Sequence, residues 1–514
     1  MVYKLITTSI IILNTSLLCA NITTQQRDSN WYKDAQKKLK KKLEYIGEIK
    51  KAKNIILFIG DGMGISTVTA ARILDGQNKG SFGEENMLSF DKFPYIGLSK
   101  TYNTNSQTPD SAGTMSAIVT GVKTKKGVLS VSENSLRSDC KSSKGKNMTT
   151  ILELAESYGM STGIVSTARL THATPAATYA HTSERGWENN SKLSPEAIEN
   201  GCKDIAAQFI NFSYGDGIDV AMGGGRREFM PKGAIEVEGK SGKRTDGRDL
   251  REEWKTKYPD GKYIENLSEF NSITKDTKKL FALFNDSHMH YESDRKNDLD
   301  GEPSLTQMTQ KAIEILSKNK KGYFLMVEAA RIDQAHHAGN AYNALSETIE
   351  LSKAVDMADK LTNDKNTLII VTADHSHVFT MAGYPKRGNP ILGKVISTDK
   401  HGLPKTQYEL AADGLPYTTL GYTNGRGFMN LKSQTNANAG DNMEINIGRK
   451  NLTKVDTTSS GYHQEALIPI KSETHSGEDV TIYSKGPGAN LLSGVNEQNF
   501  IFHVMQYSID LDKD

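Results

Sequence analysis

Ser111 lies in TPDSAGTMSAIVTG, residues 108–121, between Pro109-Asp110 and Ala112-Gly113, where a helix opens. A hydroxyl at a helix N-terminus is placed as a nucleophile would be, next to a favourable partial positive charge. The stretch is not the G-x-S-x-G turn of many serine hydrolases, because Pro109 stands at its first glycine. No histidine lies near it in the chain, so its proton needs another route.

A second set of residues supplies one. Asp61, Glu328, Asp333, His337, Asp374, His375 and His475 are oxygen and nitrogen donors of the kind that bind Zn²⁺ and Mg²⁺. Asp333 and His337 are four apart in a helix start and share a face. His336 points about a quarter-turn away and is not taken as a ligand. Asp374 and His375 face opposite sides of a continuing strand, so they converge only if the chain turns there. Taken singly, each has a plain reading: a surface pair, a cap beside a packed ring, a turn aspartate. Their coincidence carries the argument, because they gather at the ends of apolar runs, with His475 just before the last one.

Those runs are the elements that must position them. NIILFIGDGMG, TGIVSTARL, GIDVAMGGG, KGYFLMVEAARID, NTLIIVTADHSH and DVTIYSKGP read as buried strands. Amphipathic segments such as NMTTILELAESYG and EPSLTQMTQKAIEILSKN lie between them. The alternation predicts an α/β fold, a largely parallel central sheet with helices on both faces. In such sheets ligands bind at the carboxyl ends of strands. Residues 54–380 and 463–514 read as the catalytic α/β domain, and 381–462, rich in Gly, Asn, Thr and Pro, as an inserted subdomain. GRGFMNL and MEINIGR are its strand-like pieces. Residues 21–53 form a lysine-rich N-terminal region, with a helix over 31–53 and an apolar stripe of Leu39, Leu43 and Ile46.

The 514 residues are 37% hydrophobic and 24% charged, which is ordinary globular composition. With 63 basic and 61 acidic residues, the net charge of +2 argues against nucleic acid as a dedicated partner. Residues 1–20 read as a secretory signal peptide cleaved after Ala20, too short and too interrupted to span a bilayer. Lipidation of Cys19 would follow Leu18, which fits that processing poorly. No later stretch reads as a transmembrane segment. The chain is therefore expected to be exported, to a periplasm or the extracellular space, where Cys140 and Cys202 would pair. Asn147 and Asn451 open N-x-S/T triplets, which matter in a host that glycosylates.

NIILFIGDGMG, TPDSAGT with TGVKT, STARLTHATPAATYAHTSER, VEAARIDQAHHAGNA, VTADHSH and ETHSGEDV together resemble the alkaline phosphatase family, in the branch containing the animal enzymes. The resemblance implies hydrolysis of phosphate monoesters through a phosphoserine on Ser111, with two Zn²⁺ and one Mg²⁺. It implies Asp333, His337 and His475 on the first zinc, and Asp61, Asp374 and His375 on the second. Asp61 would also reach the magnesium, with Thr174 and Glu328. Arg185 would clamp phosphate, Asp110 would hold that arginine, and His172 would lie near the magnesium's waters. The resemblance also implies an inserted crown-like subdomain, a homodimer and a Cys140–Cys202 disulfide.

The chain departs from the family at Gln334, where the animal enzymes carry histidine. A calcium site of that branch would fall on Glu236, Phe284, Asn285 and Glu302, with Asn285 removing one carboxylate; surface acids on a loop are the plainer account. His181 and His377 read as structural. Within the superfamily, a sulfatase would need a Cys-x-Pro-x-Arg site, and no cysteine stands near Ser111. A phosphodiesterase generally lacks the third metal set and the arginine clamp. An inactive exported binding protein would lack a ligand or the nucleophile, and none is missing.

Overall fold

The computed structural model describes residues 19–47, 49–235, 239–431 and 444–511. Eight strands lie in the first three-quarters of the main sheet's chain: β1 (Asn54–Gly60), β2 (Tyr95–Lys100), β3 (Ser161–Arg169), β4 (Val220–Gly224), β5 (Lys262–Ile264), β6 (Leu280–Leu283), β7 (Tyr323–Ala329) and β8 (Thr367–Thr372). With Val480–Lys485 and Gly494–Glu497 they form one sheet of ten strands. Its order is Gly494–Glu497, β2, Val480–Lys485, β8, β1, β7, β3, β4, β6, β5. Pairing is parallel throughout except around Val480–Lys485, which runs antiparallel to β2 and β8.

The apolar runs form central strands because both faces are covered. In β1, Ile55, Leu57 and Ile59 pack into one core with the Ser111–Thr120 and Phe500–Ser508 helices. Ile56 and Phe58 pack into the other, with the Ile65–Asn78, Leu305–Leu316 and Ala341–Leu361 helices. Successive residues of a strand point to opposite faces, so a two-sided core selects continuous apolar sequence.

The lysine-rich helix spans Asn30–Ile46, shorter than the expected 31–53. It stops at Gly47, whose φ of 86° leaves the helical region. Leu39 is buried, Leu43 partly so, and Ile46 is exposed, which narrows the predicted stripe. Residues 1–18, most of the expected signal peptide, lie outside the described residues. Among the described residues no helix is long and apolar enough to cross a membrane. Between β8 and Val480–Lys485 the chain builds small sheets. Phe379–Met381, Leu420–Gly425 and Ala466–Pro469 form one of three strands. In GRGFMNL only Met429–Asn430 is extended into a ladder, with Tyr462–His463; the described part of MEINIGR, from residue 444, is not a strand.

Candidate active site

Ser111 is the first residue of the Ser111–Thr120 helix, every residue of which is buried. Asp110 caps it, its Oδ1 accepting the Gly113 N–H at 3.1 Å. Small residues open the helix because a loop closes over them. A Cβ on Gly113 would lie 2.4 Å from Asn103 Nδ2, and Asn103 Oδ1 accepts the Asp110 N–H at 3.0 Å. Ser111 Oγ lies 3.1 Å from His375 Nε2 and 3.5 Å from Asp61 Oδ1.

Six of the seven donors fall into two neighbouring groups, one of which His377 joins; Glu328 is in neither. In one, ligand atoms of Asp333, His337, His377 and His475 lie within 4.8 Å of one another; in the other, those of Asp61, Asp374 and His375 do. Asp61 follows β1 in a Gly-Asp-Gly turn. Gly62 has φ 72°, and a Cβ there would sit 2.4 Å from the His377 ring, so only glycine lets that ring approach. After β8 the chain does turn: Asp374 Oδ1 accepts the Gly62 N–H at 3.1 Å, and His375 Nε2 lies 3.3 Å from Asp61 Oδ1. His475 is brought in by a two-residue antiparallel ladder, His475 opposite His377.

Buried carboxylates this close disfavour one another's charge. Burial, with Asp374, Asp333 and Glu328 nearby, pushes Asp61 well above the ordinary carboxylate range. Burial raises Glu328 to about 7. Burial alone would raise Asp333 too, but His337, His377 and His475 hold it well below. No lysine or arginine among the described residues forms an ion pair with Asp61, Asp374 or Glu328.

This is negative charge without compensation, the environment that a bound cation relieves. Three orphaned atoms make the test specific. Asp61 Oδ2, Thr174 Oγ1 and Glu328 Oε1 are each buried with no hydrogen-bond partner among the described residues. They belong to the three residues expected on magnesium. The donor set therefore fits divalent cations: oxygen and nitrogen in the two His-containing groups, oxygen alone in the third.

Arg185 stands beside the serine. Its Nη1 donates to Asp110 Oδ2 at 3.1 Å, and Nη2 lies 3.4 Å from His172 Nε2. Asp110 Oδ2 also accepts the Gly127 N–H at 3.0 Å. Burial and the nearby Arg185 and Arg169 push His172 down to about 3, so its ring is neutral.

The sequence profile of the alkaline phosphatase family matches residues 52–511. The chain belongs to the alkaline phosphatase family. It is thus a phosphomonoesterase, a hydrolase, by family. It is 43% identical to the human tissue-nonspecific isozyme of alkaline phosphatase over 517 residues, covering 97% of this chain and 92% of that protein. It is 42% identical to the alkaline phosphatase of Gadus morhua over 500 residues, covering 95% and 98%. Alkaline phosphatases from the Antarctic bacterium TAB5 and from Thermus thermophilus share the fold, with TM-scores of 0.60 and 0.62 at 24% and 21% identity. They cover 91% and 90% of this chain, and 100% and 93% of their own.

Some predicted positions of the phosphatase lie apart from the two groups. His336 contacts Thr67 Oγ1 at 3.0 Å and the Tyr422 hydroxyl at 2.8 Å. His181 contacts Glu153 at 2.7 Å and the Ser130 carbonyl at 2.9 Å. Cys140 and Cys202 are bonded, as expected. Of the calcium set, Glu236 lies outside the described residues. Phe284 is buried in the core, and Asn285 Nδ2 donates to Glu302 Oε1 at 2.7 Å. His290 and Asp298 form a group with Glu302; Glu302 Oε1 meets the Asn285 amide and the His290 ring, and Oε2 accepts the His290 backbone N–H at 2.8 Å.

Sequence reasoning missed the company His377 keeps. Its Nε2 lies 2.8 Å from Asp333 Oδ1, and its Nδ1 meets Glu473 Oε2. Glu473 and Asp333 hold its ring charged, with a pKa raised to about 10 against burial. The available signal was closeness in the chain: His377 lies two residues past His375, in the strand Ser376–His377. Gln334 bonds Arg331 and lies 2.9 Å from His288 Nδ1, contacts no local spacing announces.

Proposed function

We propose that this chain hydrolyses phosphate monoesters by phosphoryl transfer to Ser111, with Asp333, His337 and His475 holding one zinc and Asp61, Asp374 and His375 a second. Asp61, Thr174 and Glu328 would hold a magnesium. When bound, such cations lower the pKa of a bound hydroxyl or water and neutralise charge on the phosphoryl oxygens.

The chain's own residues do the rest. The helix start points backbone N–H groups and a positive dipole end toward Ser111 Oγ. Asp110 fixes Arg185, whose planar fork can grip two nonbridging phosphoryl oxygens at once. Ser111 Oγ attacks phosphorus from its buried side. The Oγ–P bond forms, the ester P–O bond opposite breaks, and the alcohol departs with a proton. Water then attacks from the vacated side, the Oγ–P bond breaks, and phosphate leaves. His377 and Glu473 hold Asp333 in place. The observation that carries this reading is a buried serine whose Oγ lies 3.1 Å from His375 Nε2 and 3.5 Å from Asp61 Oδ1, two of the donors.

We also carry forward export, a homodimer, and the division into residues 54–380 with 463–514 and an insertion at 381–462. The test is turnover of p-nitrophenyl phosphate against bis-p-nitrophenyl phosphate by Zn²⁺/Mg²⁺-loaded protein, before and after chelation. Monoester cleavage should dominate and be lost with the metal. Dominant diester cleavage, or full activity after stripping, defeats the proposal. Ser111→Ala should abolish phosphoenzyme trapping and keep its zinc.

A further inference from the structure

An in-line displacement puts the leaving oxygen opposite the attacking one. Ser111 is buried, so the far side of a phosphoryl group held there is the solvent side. A cleft of about 490 Å³ opens on that side; Asp110, His337, His475 and Lys126 help to line it. The alcohol of a bound ester must project into it.

Lys126 is exposed, yet its backbone is fixed by the atoms that fix the arginine clamp. Its N–H donates to Asn105 Oδ1 at 2.9 Å. The next residue, Gly127, donates to Asp110 Oδ2 at 3.0 Å and accepts the Arg185 N–H at 2.9 Å. The preceding Lys125 is engaged elsewhere, its Nζ donating to the Ser135 carbonyl at 3.2 Å. Among the described residues no carboxylate pairs with Lys126. The acids of the cleft are taken, Asp110 by Arg185 and Glu473 by His377. An exposed ammonium on a fixed backbone thus stands at the edge of this cleft, with no carboxylate partner among the described residues.

We infer that Lys126 is a specificity-determining residue that binds a second negative group, carboxylate or phosphate, on the leaving alcohol. The inference rests on the phosphatase reading above. An ammonium suits this role because it is a point charge on a flexible stem and accepts either anion without a fixed geometry.

The test compares 4-carboxyphenyl phosphate with its neutral near-isostere, 4-carbamoylphenyl phosphate, in the parent chain, Lys126→Gln and Lys126→Arg. The ratio of kcat/KM, charged over neutral, should fall about three- to fivefold in Lys126→Gln, the upper range of an exposed ion pair. Lys126→Arg should restore it, and in 1 M NaCl the difference should vanish, because the Debye length there is about 3 Å. Calorimetric titration with benzylphosphonate and 4-carboxybenzylphosphonate should show the same loss of preference in binding alone. An unchanged ratio, or a preference that survives in Lys126→Gln, overturns the inference and leaves the phosphatase reading intact. Failure of the loaded parent chain to cleave either ester sinks both.

Discussion

Asp110 offers the sharpest division between folding and function at this site. One carboxylate accepts from the Gly113 N–H at the helix start, from the Gly127 N–H, and from Arg185 Nη1. Asp110→Ala removes the helix cap, costing about 1 kcal/mol. It strands the Gly127 N–H, costing about 1–3 kcal/mol if water does not replace the carboxylate. It also frees Arg185 from a bond to a charged group, worth about 1.5–3 kcal/mol before screening. The side chains are 22% and 11% exposed, so the lower end of that range applies. The expected outcome is a loss of about 3.5–5.5 kcal/mol in stability and about tenfold in phosphate affinity. Asp110→Asn separates the two effects. Asparagine caps a helix as well as aspartate does, but its single carbonyl cannot serve the helix and the arginine together. It should regain the cap's share of the stability, about 1 kcal/mol, and still lose most of the affinity. The assay is the inhibition constant of inorganic phosphate against p-nitrophenyl phosphate, with thermal melts and zinc content on the same samples. Product affinity is the readout, because a looser clamp weakens substrate and product alike. A parental inhibition constant in Asp110→Asn would refute the claim that this carboxylate holds Arg185 for phosphate.

Glu328→Gln should lower magnesium content by one equivalent while leaving zinc in place, read by metal analysis after dialysis. Equal loss of zinc would mean the three oxygens do not form a separate site. Replacing Cys140 and Cys202 by serine opens a loop of sequence separation 62, which predicts a loss of about 4 kcal/mol from restored chain entropy; denaturation of parent and variant should show it, and reductant should abolish the difference. Burial raises the Glu347 carboxyl from 4.5 to about 8, although the Glu292 N–H and Arg331 oppose the shift. The folded chain then holds a proton that the unfolded chain releases, so stability falls as pH rises from about 5 to 8 and the full penalty applies above that. At about 1.4 kcal/mol per pH unit, the cost is on the order of 5 kcal/mol. Glu347→Gln should melt like the parent at pH 5 and higher than it at pH 9; equal melting at both would refute the assignment.

The central strands were legible because their two buried faces demand unbroken apolar runs. β2, β5, β6 and Gly494–Glu497 were not. YIGLSK exposes its first two residues and its last, and KYI is a three-residue edge strand. The donor residues were legible for the same reason as the strands, since they gather at the ends of apolar runs. Their grouping was not. His475 reaches His377 only through a ladder that pairs segments about a hundred residues apart, and Glu473 and Ser166 touch the donors through tertiary packing alone. The end of the lysine-rich helix was misjudged because lysine and glutamate continue the helical pattern past Gly47, while the backbone does not.

The donors are scattered from Asp61 to His475, and Gln498 Nε2 donates to the Asp374 carbonyl at 2.6 Å. Loops this long close late, after local helices have formed. A ribosome must therefore deliver the chain as far as His475 before all of these groups are complete. A chain interrupted ahead of His475 would lack one donor of the group that Asp333, His337 and His377 form.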